Sequence, residues 1–134
     1  MSLDDTLDRW HAMVERRDMS GLEEIVAPDA VFRSPVAHSP YPSRAAVVLA
    51  LRTVLTVFED FRYHRTFRTG SDAVLEFSAT VDGKALRGVD LIHVDDDGLI
   101  TEFEVMVRPL SGLQALGAAM AQRIGAQLTT FKDA

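Results

Sequence analysis

Two β-hairpin signals stand back to back in the second half of this chain, and they limit what it can fold into more than any other feature. Residues 74–81 alternate apolar and polar side chains up to Asp82-Gly83. Residues 84–94 do the same up to Asp97-Gly98, and residues 99–107 follow. An Asp-Gly pair between β-branched runs is a strong short-range hairpin cue, because the turn asks for positive φ at its central residues. The result is a meander of three antiparallel strands, which bends into a curved sheet. Asp90 falls in the middle of the shared strand, on the same face as Leu86, Ile92 and Val94. An acid in an apolar row is costly unless it is paired, protonated or used.

Composition sets the outer limits. The 134 residues are 47% hydrophobic and 25% charged, with a net charge of −6 and no cysteine. That is enough chain for one domain, residues 1–134, burying about two-thirds of its unfolded surface. Disulfides, thiolate nucleophiles and cysteine metal sites are excluded. No Lys/Arg cluster offers a nucleic-acid surface. No apolar run approaches the roughly 20 residues of a membrane span. The start of the chain carries Asp4, Asp5 and Asp8 rather than a basic and then an apolar stretch, so the expected location is cytoplasmic.

Elsewhere the pattern alternates between helix and strand. Leu3, Leu7, Trp10 and Val14 recur at helical spacing behind a Ser2/Asp5 capping box, which predicts a helix over 3–17. Ser20 and Glu23 predict a short second helix with Leu22, Ile25 and Val26 inward, ended by Pro28-Asp29. Residues 30–34 read as a short strand. Pro35, Pro40 and Pro42 make the next segment a loop. Ser43 is expected to cap a long helix whose stripe is Val47, Leu51, Val54, Leu55 and Phe58. A strand follows in which Phe61, Tyr63, Arg65 and Phe67 share one face. Ser111 and Gln114 then suggest a box opening a last helix, with Leu113, Leu116, Met120, Ile124 and Leu128 on one side. Its many Ala and Gly residues allow close backbone approach. Helices followed by a run of antiparallel strands argue an α+β fold. A bent sheet over a long helix leaves a cone, which either fills with side chains or holds a ligand.

This order resembles the nuclear transport factor 2-like superfamily, which includes SnoaL-like polyketide cyclases and ketosteroid isomerases. The carrying segments are Arg9-Trp10, residues 18–22, residues 28–36 and residues 88–103. The resemblance implies a cystatin-like α+β roll: a cone-shaped, curved antiparallel sheet wrapped around a long helix. It also implies a homodimer formed through the sheet face. The apolar residues beside His93, on the strand face opposite Asp90, point the same way. The isomerases carry a tyrosine on the first helix, an aspartate before the proline after the first strand, and a protonated aspartate on the strand following the first hairpin. Here those places hold Trp10, Ser34 and Asp90. Only the last is retained, and a serine without a partner base cannot shuttle a proton near neutral pH. The aspartate pair bridged by arginine of the limonene epoxide hydrolases is not evident either, since Arg87 points away from Asp90. SnoaL-type cyclases use a pocket aspartate with a nearby His, to which Asp90 and His38 loosely conform.

The candidate catalytic groups are therefore Asp90, as acid/base or hydrogen-bond donor, and His38 on the loop at the cone's mouth. The candidate ligand-binding residues are Trp10, Ser34, Tyr41, Tyr63, Phe77 and Phe103, around an apolar small molecule. The alternatives to function are plain: a core tryptophan, a solvent-exposed loop histidine, an acid satisfied by a neighbour. Residues 95–98 read as a solvated turn rather than a calcium loop. The four histidines are scattered and suggest no metal, and no cofactor motif is present. Two functions fit. One is an isomerase, cyclase or hydrolase acting on an apolar carbonyl- or epoxide-bearing molecule. The other is a non-catalytic binding or dimerisation module whose cone is open or filled by Trp10, Phe32, Phe77 and Phe103.

Overall fold

In the computed structural model, residues 1–132 are described, with side-chain surroundings left out at 126 and 128–132. Helix α1 (Leu3–Arg16) opens with the expected capping box. The Ser2 hydroxyl accepts from the Asp5 N–H, and the Asp5 carboxylate accepts from Ser2 N–H. The helix ends at Arg17, which turns left-handed at φ 54°. Its Leu7, Trp10 and Met13 stripe is buried. The Thr6 hydroxyl donates to the Gly98 carbonyl and ties α1 to the far end of the sheet.

The second element is a single 3-10 turn (Leu22–Ile25) rather than a capped helix. Gly21 stands at its N-cap without a side-chain bond, and the Ser20 N–H is turned toward Asp18. Strand β1 begins directly after it, at Val26–Arg33, four residues earlier than the pattern at 30–34 suggested. Pro28 is accommodated because the pairing of β1 is interrupted between Val26 and Val31, where a missing N–H costs no ladder bond. Tyr41 and Pro42 form a two-residue strand, β2, against β1. Helix α2 (Arg44–Val57) starts at Ser43 as expected, but Ser43 has φ 83° and its hydroxyl makes no capping bond.

Four long strands follow: β3 (Glu59–Thr69), β4 (Asp72–Val81), β5 (Lys84–Val94) and β6 (Ile100–Arg108). The sheet order is β2-β1-β6-β5-β4-β3. Every pair is antiparallel except β1 with β6, which run parallel. That pair joins the first strand of the chain to the last, which the hairpin signals could not reveal. Asp82 (φ 49°) and Gly83 (φ 77°) make the tight turn that the sequence demands. The second turn is wider: only Gly98 is left-handed, and the Asp95 carboxylate accepts from the N–H groups of Asp97 and Leu99.

Strand β3 departs from simple alternation. Its register against β4 shifts between Tyr63 and Thr66, so an extra residue is inserted. Tyr63 stays on the concave face opposite Phe77, whereas Phe67 emerges on the convex face, 53% exposed. Helix α3 (Leu110–Lys132) begins one residue before Ser111, which lies inside its first turn. Leu116 and Ile124 are buried as the stripe implied, and the side chain of Leu128 lies outside the described residues.

Gly88 is the close-packing point of the concave face. A Cβ there would sit 2.4 Å from the Met106 carbonyl and 2.6 Å from the ring of Phe77. Neither neighbour can yield: one is backbone, and Phe77 is fully buried behind Phe58 and Phe61. Gly88→Ala is therefore expected to destabilise the fold by about 1–3 kcal/mol through overpacking. Chemical denaturation checks this, with Val89→Ala as the comparison on the convex face.

Candidate functional site

The concave sheet, α2 and α3 enclose a cavity. Its volume is about 140 Å3, the space of roughly five waters at about 30 Å3 each. The sheet side supplies Phe32, Phe61, Tyr63, Asp90, Phe103 and Val105. Helix α2 contributes Leu51, Val54 and Leu55, while α3 contributes Leu116, Gly117, Met120, Ala121 and Gly125. Trp10 reaches in from α1, and Ser34, Val36 and Tyr41 form the loop side.

Asp90 is the one carboxylate among the described lining residues, and it is 5% exposed. Its cross-strand neighbours are Leu75 on β4 and Val105 on β6. The Tyr63 hydroxyl donates to its Oδ2 at 2.6 Å, and the Trp10 indole N–H donates to the Tyr63 oxygen at 2.8 Å. No hydrogen bond reaches Oδ1 from the described residues, and no buried side-chain oxygen is left without a partner. Oδ1 therefore meets the open space of the cavity.

Removal from water pushes the Asp90 carboxyl up to about 7, and the Tyr63 hydrogen bond pulls only partly against this. Burial raises the Tyr63 hydroxyl well above its ordinary 10, and the neighbouring Asp90 charge adds to the effect. The carboxyl is thus shared between its acid and carboxylate forms at neutral pH, while the phenol keeps its proton. Such a pair can donate a proton to a ligand oxygen and recover it.

The structure brings Trp10, Ser34, Tyr41, Tyr63, Asp90 and Phe103 to the cavity. Ser34 sits at the mouth, where its hydroxyl oxygen accepts from the Val36 N–H. Two of the proposed residues stand elsewhere. Phe77 is fully buried behind the wall, stacked on Phe61 at 5.2 Å, so it supports the lining without forming it. His38 is exposed on the loop and does not line the cavity. Its neighbours Pro35, Val36 and Tyr41 take the lining positions of that loop instead. Arg87 and His93 lie on the convex side, where they bond Glu76 and Asp72 respectively.

The sequence placed Phe58, Phe61, Leu116 and Met120 on apolar faces but did not mark them as cavity lining, which they are. The signal for α3 was its glycine content: Gly117 lets Val36 approach to 3.2 Å of where a Cβ would stand, which joins helix and loop over the mouth. His11 was passed over. It packs edge-on against the Tyr63 ring at 5.0 Å in a cleft outside the cavity. Burial and Arg68 lower its proton affinity.

The family model for the SnoaL-like domain matches residues 7–103. The chain belongs to the SnoaL-like domain family. Three solved structures show how far the likeness extends. A protein from Pseudomonas aeruginosa described as a steroid delta-isomerase is 54% identical, covers 95% of this chain and 94% of its own, and superposes with a TM-score of 0.90. An uncharacterised bacterial protein with a cystatin-like fold from Silicibacter pomeroyi is 34% identical over 96% and 93%, with a TM-score of 0.87. An NTF2-like protein of unknown function from Mesorhizobium loti is 25% identical over 80% and 91%, with a TM-score of 0.72. No curated protein matches the chain. The SnoaL-like domain is thus an α+β, cystatin-like roll, as the order of its elements implied. Among the described residues no helix is long and apolar enough to cross a membrane, and no three His, Asp or Glu side chains gather as a metal site.

The raised Asp90 carboxyl also sets a pH signature in stability. The folded protein holds the proton up to about pH 7, whereas the unfolded chain releases it near 3.8. Between those values the unfolded state binds fewer protons, so stability falls as pH rises, by roughly 1.4 kcal/mol per unit and roughly 4 kcal/mol in all. Asp90→Asn, which keeps an oxygen for Tyr63, removes that slope. Denaturant titrations at pH 5 and pH 8 should show the variant gaining on the parent at the higher pH.

Proposed function

We propose that this SnoaL-like domain binds an apolar molecule bearing a carbonyl or epoxide oxygen, and that Asp90 donates its proton to that oxygen. The observation that carries this reading is the Asp90 carboxyl itself. It is fixed on one oxygen by Tyr63 and opens with the other into a cavity otherwise lined almost wholly by apolar side chains. A hydrogen-bond donor among apolar walls meets developing negative charge with less screening than in bulk water. The surrounding apolar wall supplies binding through area removed from water.

The relative described as a steroid delta-isomerase supports a ketone as the polar group. Isomerisation by two separate proton-handling groups is not what this site offers, because Ser34 occupies the mouth and no second carboxylate or imidazole lines the cavity among the described residues. Asp90 is therefore the group that would both give and take the proton. The same observation favours a second reading, in which the cavity binds its ligand without transforming it.

Trp10, the chain's single tryptophan, lines the cavity, so its emission reports occupancy directly. A β,γ-unsaturated steroid ketone and an apolar epoxide are the substrates to offer. The expected result is quenching or a spectral shift of Trp10 with turnover of one of them. Asp90→Asn should then lower kcat about 100-fold or more and leave binding within a few-fold. Turnover unchanged by Asp90→Asn removes the proton-donor role. Binding with no turnover selects the second reading.

The convex face suits a second copy of this chain. Val74, Val89 and Leu91 are half-buried there beside Phe67 and Met106, which are 53% and 50% exposed. The row at one end holds Asp72, Glu102 and His93, and the row at the other holds Arg62, Arg87 and Arg108, with Ser78 between them. A two-fold axis through the apolar middle would set each acidic row against the partner's arginines. We propose a homodimer through this face. Met106→Glu should yield a monomer by light scattering with the parent's helical spectrum; a dimer that persists places the contact elsewhere.

A further inference from the structure

We propose that Trp10 is a positioning residue: its indole N–H fixes the direction of the hydrogen bonds through Tyr63, so that the Asp90 proton stands on Oδ1, facing the cavity. This direction fits the site to ligands whose buried polar atom is an acceptor oxygen rather than an amine. The ligand class rests on the reading of the cavity given above, whereas the placement of the proton does not.

Which groups can donate decides this direction. An indole N–H has no acceptor capacity, so at 2.8 Å the Tyr63 oxygen must accept from it. Tyr63 has one proton, and its hydroxyl lies 2.6 Å from Asp90 Oδ2, its other hydrogen-bond partner among the described residues. Oδ2 therefore receives the phenol proton. A second proton on Oδ2 would confront the first head-on. The acid form of Asp90 consequently carries its hydrogen on Oδ1, which is the oxygen that meets open space. Oδ2 becomes the carbonyl oxygen of the acid. Donation from Trp10 also polarises Tyr63 and makes it a stronger donor to Oδ2.

The charged groups near this chain of bonds are few. On Asp90 itself, β4 and β6 present Leu75 and Val105. On the Tyr63 ring, α1 presents His11 at 5.0 Å, and Asp8 and Arg68 act on His11 in opposite directions. Phe61 closes the remaining side at 4.9 Å. His11 is thus the titrating side chain whose ring packs on Tyr63, and Glu15 of α1 and Arg17 at its cap line the same cleft.

Two measurements without ligand and one with it test the proposal. At pH 6 ordinary carboxyls are ionised, so the infrared difference between the parent and Asp90→Asn isolates the carbonyl band of protonated Asp90. Trp10→Phe should move that band to higher wavenumber and Tyr63→Phe should move it further, as the bond to Oδ2 weakens and is then lost. A band unmoved in Tyr63→Phe puts the proton on Oδ2 and overturns the proposal. In the parent, the single indole N–H cross-peak should titrate with a midpoint near 7. It should lie flat in Tyr63→Phe and still titrate in His11→Gln; a titration that survives in Tyr63→Phe, or is lost in His11→Gln, also overturns it. These two readouts decide the matter even if Trp10→Phe does not fold. Finally, equilibrium dialysis at pH 6 should show methyl naphthyl ketone binding at least tenfold tighter than the amine of the same skeleton. Equal binding removes the ligand class and leaves the proton placement standing on the spectra.

Discussion

The structure turns on a single carboxyl group held out of water with only half of its hydrogen-bonding capacity met. Apolar neighbours on both flanking strands and the aromatic lining of the cavity leave Asp90 5% exposed. One phenol satisfies Oδ2 and nothing among the described residues satisfies Oδ1. A fold selected for stability alone has a simpler choice at this position, since a leucine would complete the Leu86, Ile92 and Val94 row. Retaining an acid there costs stability at neutral pH, and what it supplies is a proton in a low-dielectric hollow.

The rest of the architecture serves to keep that hollow open. Gly88 gives Phe77 the space to lie flat beneath Phe61, which holds the aromatic wall apart from Asp90. The bulge in β3 keeps Tyr63 inward while sending Phe67 out. The left-handed Asp60 and the register shift between Glu59 and Arg62 set the angle at which this edge strand leaves α2. On the opposite side, the small residues of α3 let the helix settle close to the loop at Val36 without filling the interior.

Much of this was legible in the sequence, for a local reason in each case. The Asp82-Gly83 turn fixes the register of β4 on β5, and two-residue periodicity then puts Asp90 inward and Arg87 outward. The Ser2/Asp5 box marks the start of α1 within the four residues it spans. The misreadings share a different cause. The parallel pairing of β1 with β6, the early start of β1 before Pro28, and the reversal at Phe67 are all set by partners distant in sequence. A bulge changes the face of every residue after it, and no local pattern announces one. Tyr63 was placed inward correctly, but its bonds to Trp10 and Asp90 span 53 and 27 residues and belong to the tertiary fold. His38 drew notice for its chemistry, yet its loop turns Pro35, Val36 and Tyr41 to the cavity and leaves His38 exposed.

Asp90 keeps a proton near neutral pH because burial among apolar side chains strips the carboxylate of most of its hydration. The chemical shift of its side-chain carboxyl carbon, followed by NMR against pH, tests this most directly. One transition with a midpoint of about 7 is expected. A midpoint near 3.8, the value of an aspartate in water, would show the carboxylate to be solvated in the folded protein and would contradict it.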